Sequence, residues 1–382
     1  MTKRARAVAL ASPARIVFVA AVWLSLFAYA GRPLLAGAAA AGLAPAIGWI
    51  TLLMLSLLPM LPILRRDARA LHWIGYTTLA LFSTLFGLVM VGDVVRLLWF
   101  AARSVPFAQS WPMLDPRALS LTILGASGAL SLIGLVQARC PRIRRVTIPI
   151  EKLPPELDGY RIVQWSDVHV SATIRRNFVE ALVERTNALD ADAIAITGDF
   201  VDGALAELRT HVEPLRGLRA RDGIFYVTGN HEYYWRADEW CAALQSLGVT
   251  FLKNEHRVVT RNGIPIVFAG VTDPVGRGTH QQDPDRALAG TPPGAVQVLL
   301  SHRPQTAADA DRLGVHLQLS GHTHGGQMFP FNLFIKRFQP IVAGLHRVGR
   351  TWLYVNRGTG YWGPPSRLLV GGEITVLELR TR

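Results

Sequence analysis

Carboxylates are scarce in the first part of this sequence. Residues 1–150 contain no Glu and three Asp against fifteen Lys and Arg, a net of +12. The rest of the chain carries 25 Lys and Arg against 24 Asp and Glu, a net of +1. A nucleic-acid binder concentrates its basic excess on a folded domain. Here the excess lies between apolar runs, which is the pattern of membrane topology, and no nucleic-acid partner is expected. Cysteine is nearly absent too. Cys140 and Cys241 have no metal-type spacing, and two thiols do not make a disulfide framework. That fits a reducing compartment. Before residue 150 the only histidine is His72, so ten of the eleven lie beyond it. Anchoring and chemistry are therefore segregated along the chain.

Long apolar runs are what the first part does have. They cover Ile16 to Ala30, about Leu43 to Leu64, Leu71 to about Val91, and Ala118 to Ala138. All but the first are close to the roughly 20 residues that span a bilayer. Ala28-Tyr29-Ala30 resembles a signal-peptidase site, but a second apolar stretch follows almost at once. Lys3, Arg4, Arg6 and Arg15 precede the first run, Arg65, Arg66 and Arg69 separate the second from the third, and Arg139, Arg142, Arg144 and Arg145 follow the fourth. Basic loops stay in the cytoplasm. The expectation is a multi-pass plasma-membrane protein with four helices, both ends cytoplasmic, and the bilayer as a partner. Asp93 and Arg96 are expected near an interface. The domains expected are a transmembrane region at 1–140, a basic proline-containing linker at 141–155, and a catalytic domain at 156–382.

Beyond the linker the pattern changes. Strands are expected at Tyr160 to Trp165, Ala191 to Thr197, Gly223 to Thr228, Val296 to Ser301, Val315 to Ser320, Trp352 to Val355 and Glu373 to Leu379. Arg261-Asn262-Gly263 marks a hairpin between His256 to Thr260 and Ile264 to Ala269. Helices are expected at Asn177 to Leu189, Leu205 to Leu218 and Asp238 to Leu247. Strands alternating with helices, then hairpins, give an α/β sandwich.

Polar groups gather where these strands end. Asp167 and His169 follow the first, spaced to point the same way. Asp199 follows the second, Asn230 and His231 the third, His302 a later one, and His322 and His324 the next, in a turn flanked by Gly321, Gly325 and Gly326. Sites in open α/β sheets collect at the carboxyl ends of strands. Imidazole-rich sets favour Mn, Fe or Zn over magnesium. Even seven of these residues are too many for one ion. They suit two divalent ions about 4 Å apart sharing a carboxylate, the arrangement for phosphoryl hydrolysis by a bridging hydroxide.

Asp167-Val168-His169, Gly198-Asp199, Gly229-Asn230-His231-Glu232, His302 and Gly321-His322-Thr323-His324 resemble, in order, the five blocks of calcineurin-like metallophosphoesterases. Gly325-Gly326-Gln327 and Asn356-Arg357-Gly358-Thr359-Gly360 are similar to a bacterial branch with membrane-linked phosphodiesterases. The resemblance spans roughly 145–382. It implies a four-layer sandwich of two mixed sheets flanked by helices. It also implies one metal on Asp167, His169, Asp199 and His324, and a second on Asp199, Asn230, His302 and His322. His231 would be the catalytic residue, as general acid or phosphate donor. The four helices lie outside the family's catalytic fold.

Other residues have plainer readings beside functional ones. Asp202 is either a support for the site or a loop residue. Arg303 and Arg357 could clamp a phosphate or support the fold. Asp273 reads as a turn, and Tyr233, Tyr234 and Trp235 as core or substrate wall. His211, His256, His280, His316 and His346 read as non-ligands. Met328 to Phe338, apolar and aromatic with Lys336 and Arg337, reads either as an ordinary core loop or as a lid at a membrane interface.

The function expected is a membrane-anchored phosphoesterase cleaving a phosphodiester or pyrophosphate. By resemblance, phospholipids and UDP-diacylglucosamine are candidate lipid-linked substrates. Soluble nucleotides or phosphoproteins are the alternative. A non-catalytic binding module should have lost ligands, and none is missing here. A transporter would need more polar residues in its helices.

Overall fold

A computed structural model describes residues 12–65 and 68–382. Lys3, Arg4, Arg6 and Arg66, used in the topology argument, lie outside the described residues. The chain divides into two compact units, one up to Ile133 and one from Gly134.

Among the described residues, four helices are long and apolar enough to cross a membrane: Pro13–Ala30, Pro45–Leu64, Arg69–Ala102 and Pro116–Arg139. Pro13 and Pro45 open their helices, where a missing N–H costs nothing. Pro59 and Pro62 explain why the second relaxes into a 3₁₀ turn at Leu58–Met60 before resuming. The third is 34 residues long and runs eleven residues past the expected Val91, so Asp93 and Arg96 lie within it. Asp93 accepts from the Tyr29 hydroxyl at 2.7 Å and from Arg32 at 2.5 Å. A short helix at Arg32–Ala40 was not expected from the sequence. Phe27, Leu52, Phe82 and Leu85 pack inside, while Phe18, Met54 and Phe100 are exposed. An apolar outside of this extent suits lipid rather than water.

The second unit holds twelve strands: β1 (Arg142–Ile150), β2 (Arg161–Trp165), β3 (Ala193–Thr197), β4 (Gly223–Val227), β5 (Thr250–Phe251), β6 (Glu255–Arg261), β7 (Ile264–Gly270), β8 (Val296–Leu300), β9 (Leu317–Ser320), β10 (Gly344–Val348), β11 (Thr351–Val355) and β12 (Glu373–Thr381). They form two mixed six-stranded sheets, ordered β1-β12-β2-β3-β4-β5 and β10-β11-β9-β8-β7-β6. Side chains alternate across them as the pleat requires. Ile162, Ala193, Ala195 and Phe225 enter the core between the sheets with Phe268, Val298 and Leu319. Their neighbours Val163, Ile194, Ile196 and Tyr226 face the helices Arg176–Asn187 and Ala237–Gln245. Val267, Ala269 and Leu299 pack on the helical layer of the other sheet. This is the four-layer sandwich that the resemblance implied.

Residues 141–155, expected as a basic proline-containing linker, contain β1, which pairs in parallel with β12 from Arg142↔Glu373 to Ile150↔Thr381. Ile148 and Ile150 are buried and draw the segment onto the sheet edge. Arg142, Arg144 and Arg145, ahead of them, mask the strand character.

Candidate metal centre

β2, β3 and β4 run parallel, as do β7, β8 and β9, so their carboxyl ends open on one rim of each sheet. Asp167 and His169 leave β2, Asp199 leaves β3, and Asn230 and His231 begin a short helix after β4. His302 leaves β8, and His322 and His324 leave β9. All eight are drawn together, and Asp167, His169, Asp199 and His302 are fully buried.

The backbone is bent to achieve this. Asp167, His169, Asp199, His322 and His324 all have φ between 50° and 69°. Such angles are uncommon outside glycine and cluster at functional sites. Two glycines permit the close approach. A Cβ on Gly198 would lie 2.6 Å from the Gly229 nitrogen and 2.7 Å from His302 Nδ1. One on Gly229 would lie 2.6 Å from the Asp199 nitrogen.

Three sets of donor atoms come within 4.8 Å of one another: Asp167 with His169 and His324, Asp199 with His302 and His322, and His169 with Asp199 and His231. His169 Nε2 lies 3.0 Å from His324 Nε2, and His322 Nδ1 lies 3.2 Å from His302 Nε2. Asp199 joins the sets. Its Oδ1 accepts from the His231 N–H at 2.8 Å, while Oδ2 lies 3.2 Å from His302 Nε2 and 3.9 Å from His169 Nε2. Asp167 is held by the His322 N–H at 3.1 Å and faces His324 Nε2 at 3.2 Å.

These residues fit divalent cations. The Asn230 Oδ1 is buried and accepts no hydrogen bond. A buried acceptor without a partner is costly unless something positive faces it. His302 directs Nδ1 to the Thr197 carbonyl at 2.8 Å, which fixes the ring and turns Nε2 toward Asp199. Burial, reinforced by neighbouring histidines, pushes His169 down to about 3 and His322 down to about 4. Both are neutral and ligand-ready at physiological pH. Burial also disfavours the charged form of His302, but Asp199 outweighs it and lifts the group to about 10. A cation binding there takes the place of a proton.

His231 stands at the edge of this cluster. Its Nδ1 lies 3.0 Å from Asp202 Oδ1, which also accepts from the Trp235 indole at 2.8 Å. Burial opposes protonation, but the bond to Asp202 and the charge of Asp199 raise the pKa of His231. Asp202 is thus a support for His231 rather than a loop residue.

Two further side chains support the site. The buried Glu232 carboxylate accepts from the N–H groups of Asp199 at 3.0 Å, Phe200 at 2.7 Å and Gly229 at 2.7 Å, tying two site loops together. Arg367 is fully buried; it donates to the carbonyls of His324 and Gly360 at 2.9 Å and lies 3.0 Å from His324 Nδ1. The other arginines are occupied: Arg303 by the buried Asp273 at 2.8 Å, and Arg357 by the Val370 carbonyl at 3.1 Å. Asp273 therefore does more than make a turn. Tyr234 is exposed with its ring 5.1 Å from His231, while the Tyr233 hydroxyl reaches Thr228 and His280 at 3.0 Å. His211, His256, His280, His316 and His346 bond elsewhere.

Residues 160–326 match the calcineurin-like phosphoesterase family. A Danio rerio protein named "Transmembrane protein with metallophosphoesterase domain" is 35% identical over 327 residues, covering 81% of this chain and 74% of its own. The Bos taurus protein of that name is 38% identical, covering 74% and 67%. An uncharacterized metallophosphoesterase of Helicobacter pylori is 37% identical, covering 63% and 64%. With the site geometry, these similarities establish that the chain belongs to the calcineurin-like phosphoesterases and is a metal-dependent phosphoester hydrolase.

Proposed function

We propose that this enzyme cleaves a phosphodiester or pyrophosphate bond in a lipid-linked substrate, at two metal ions held in the cytoplasm. The observation that carries the two-metal reading is Asp199 Oδ2, which faces histidines of both ligand sets. Asp167, His169, Asp199 and His324 would hold one ion, and Asp199, Asn230, His302 and His322 the other. Two divalent ions would supply a nucleophilic water at neutral pH and offset charge on the phosphoryl oxygens.

The remaining work falls to side chains. The Glu232 carboxylate keeps the Asp199 and Asn230 loops in register. Asp202 orients His231 and favours its protonated form, so that His231 can give a proton to the leaving oxygen.

The four apolar helices favour a lipid-linked substrate, because they keep the site at a bilayer. Phospholipid phosphodiesters and UDP-diacylglucosamine are the classes to try against nucleotides and a phosphoprotein. Purified full-length protein with Mn, Fe or Zn should turn over a lipid substrate faster than any soluble one. A faster soluble nucleotide would remove the lipid reading while leaving the metal centre intact. The excess of Arg and Lys in alternate loops supports a cytoplasmic domain at the plasma membrane. A reporter fused after Arg382 should be active in the cytoplasm, and a periplasmic signal contradicts this.

A further inference from the structure

The stretch 312–372 contains seven Lys and Arg and no Asp or Glu. Part of it, Phe331 to Phe338, forms a short helix and a 3₁₀ turn directly after the histidine turn. It is fastened to that turn at several points. A Cβ on Gly326 would lie 2.7 Å from the Asn332 backbone and 3.0 Å from Ile335 Cγ2. The Asn332 amide donates to the Leu368 carbonyl at 2.8 Å, and Gln327 donates to the Trp362 carbonyl at 2.8 Å while accepting from its N–H at 3.0 Å. The Trp362 ring lies 5.7 Å from His231.

The core-loop reading required these aromatics to be buried, and they are not. Ile335 alone turns inward. Phe331 is 48% exposed, Phe334 55%, Phe338 71% and Trp362 53%. The rings of Phe331 and Phe338 stack on each other at 6.2 Å, still open to solvent. Lys336 and Arg337 are exposed among them. A water-facing surface of this kind is costly unless something apolar covers it. Two observations say what does. The charge carried by Phe331 to Phe338 itself is Lys336 and Arg337, both positive and exposed, which complements anionic headgroups. The same chain also carries four helices of membrane-spanning length, so a bilayer is always at high local concentration.

We propose that this face docks on an anionic lipid surface, with the aromatic rings entering the interface and Lys336 and Arg337 meeting lipid phosphates. Docking would present the rim near His231 to the bilayer. The inference concerns where the face sits and holds whether or not the substrate itself is a lipid.

The test uses the full chain in lipid nanodiscs of phosphatidylcholine, with or without phosphatidylglycerol. Cys140 is changed to Ser, the buried Cys241 is kept, and an environment-sensitive fluorophore is placed through Phe334→Cys. The expected result is blue-shifted emission, quenched by nitroxide-bearing lipids, most strongly when phosphatidylglycerol is present. A label through Leu333→Cys should report the same, so one poorly folded variant does not decide the matter. A label through Val258→Cys, exposed on β6, should stay water-like. Lys336→Gln with Arg337→Gln should weaken docking by roughly fivefold per cation removed. Water-like, unquenched emission at both Phe334 and Leu333 overturns the proposal, as does equal quenching at Val258. Because no turnover is measured, failure here is distinct from failure of the lipid-substrate reading.

Discussion

Asp199→Ala is expected to lose metal from both positions and activity with it. The carboxylate is the one group that faces both ligand sets, and its other oxygen holds the His231 N–H at 2.8 Å. Removing it leaves His169 and His302 without a shared anion, so neither set keeps its charge balance. The loss of turnover should exceed the ~10²–10³-fold that follows removal of a single transition-state stabiliser. Elemental analysis of purified parent and variant checks it. If the variant retains the full metal content of the parent, Asp199 does not bridge.

His231→Asn should behave differently. The Oδ1 of its neighbour Asn230 is buried and without a partner, whereas His231 is bonded through Nδ1 to Asp202. A general acid contributes typically ~10²–10⁴-fold. The variant should therefore keep metal and fold while turnover falls by about that factor. The fall should shrink for esters whose leaving group is acidic enough to depart without a proton. Equal losses for good and poor leaving groups would instead assign His231 to holding the phosphate. Loss of metal would make it a ligand, which its proximity to His169 and Asp199 also allows.

The site was legible in the sequence to the extent that its chemistry sits on single residue types at strand ends. Asp167, His169, Asp199, Asn230, His231, His302, His322 and His324 are the donor-bearing residues that follow β2, β3, β4, β8 and β9, and the structure gathers them at one place. What the sequence could not display is how they are held. Five of these residues have left-handed backbone, a conformation that Asp and His tolerate but that their presence does not dictate. Glu232 looked like the end of a motif, yet it accepts from backbone N–H groups some thirty residues away. Arg367 lies over forty residues beyond His324 and reaches it only through folding.

The fold shows the same division. Strands such as β3 and β8 are mostly apolar, and their expected bounds lie within two residues of the observed ones. β1 carries little strand signal because Arg142, Arg144 and Arg145 fill its exposed start, and of its isoleucines only Ile148 and Ile150, at its end, are buried. The two-residue β5 and the β10 hairpin partner have too little pattern of their own, and their pairing is set by β4 and β11. The aromatic segment after His324 was ambiguous for a physical reason. Composition does not say whether a phenylalanine is covered, and among the described residues nothing buries Phe331, Phe334 or Phe338.

The central claim is that hydrolysis needs two ions shared through Asp199. The most direct measurement is a metal titration of chelated, full-length protein, following hydrolysis of a small chromogenic phosphodiester. Activity should be absent without metal and should rise until about two equivalents are bound per chain, as a two-metal displacement requires. Full activity at a single bound equivalent, or undiminished activity in excess chelator, would contradict it.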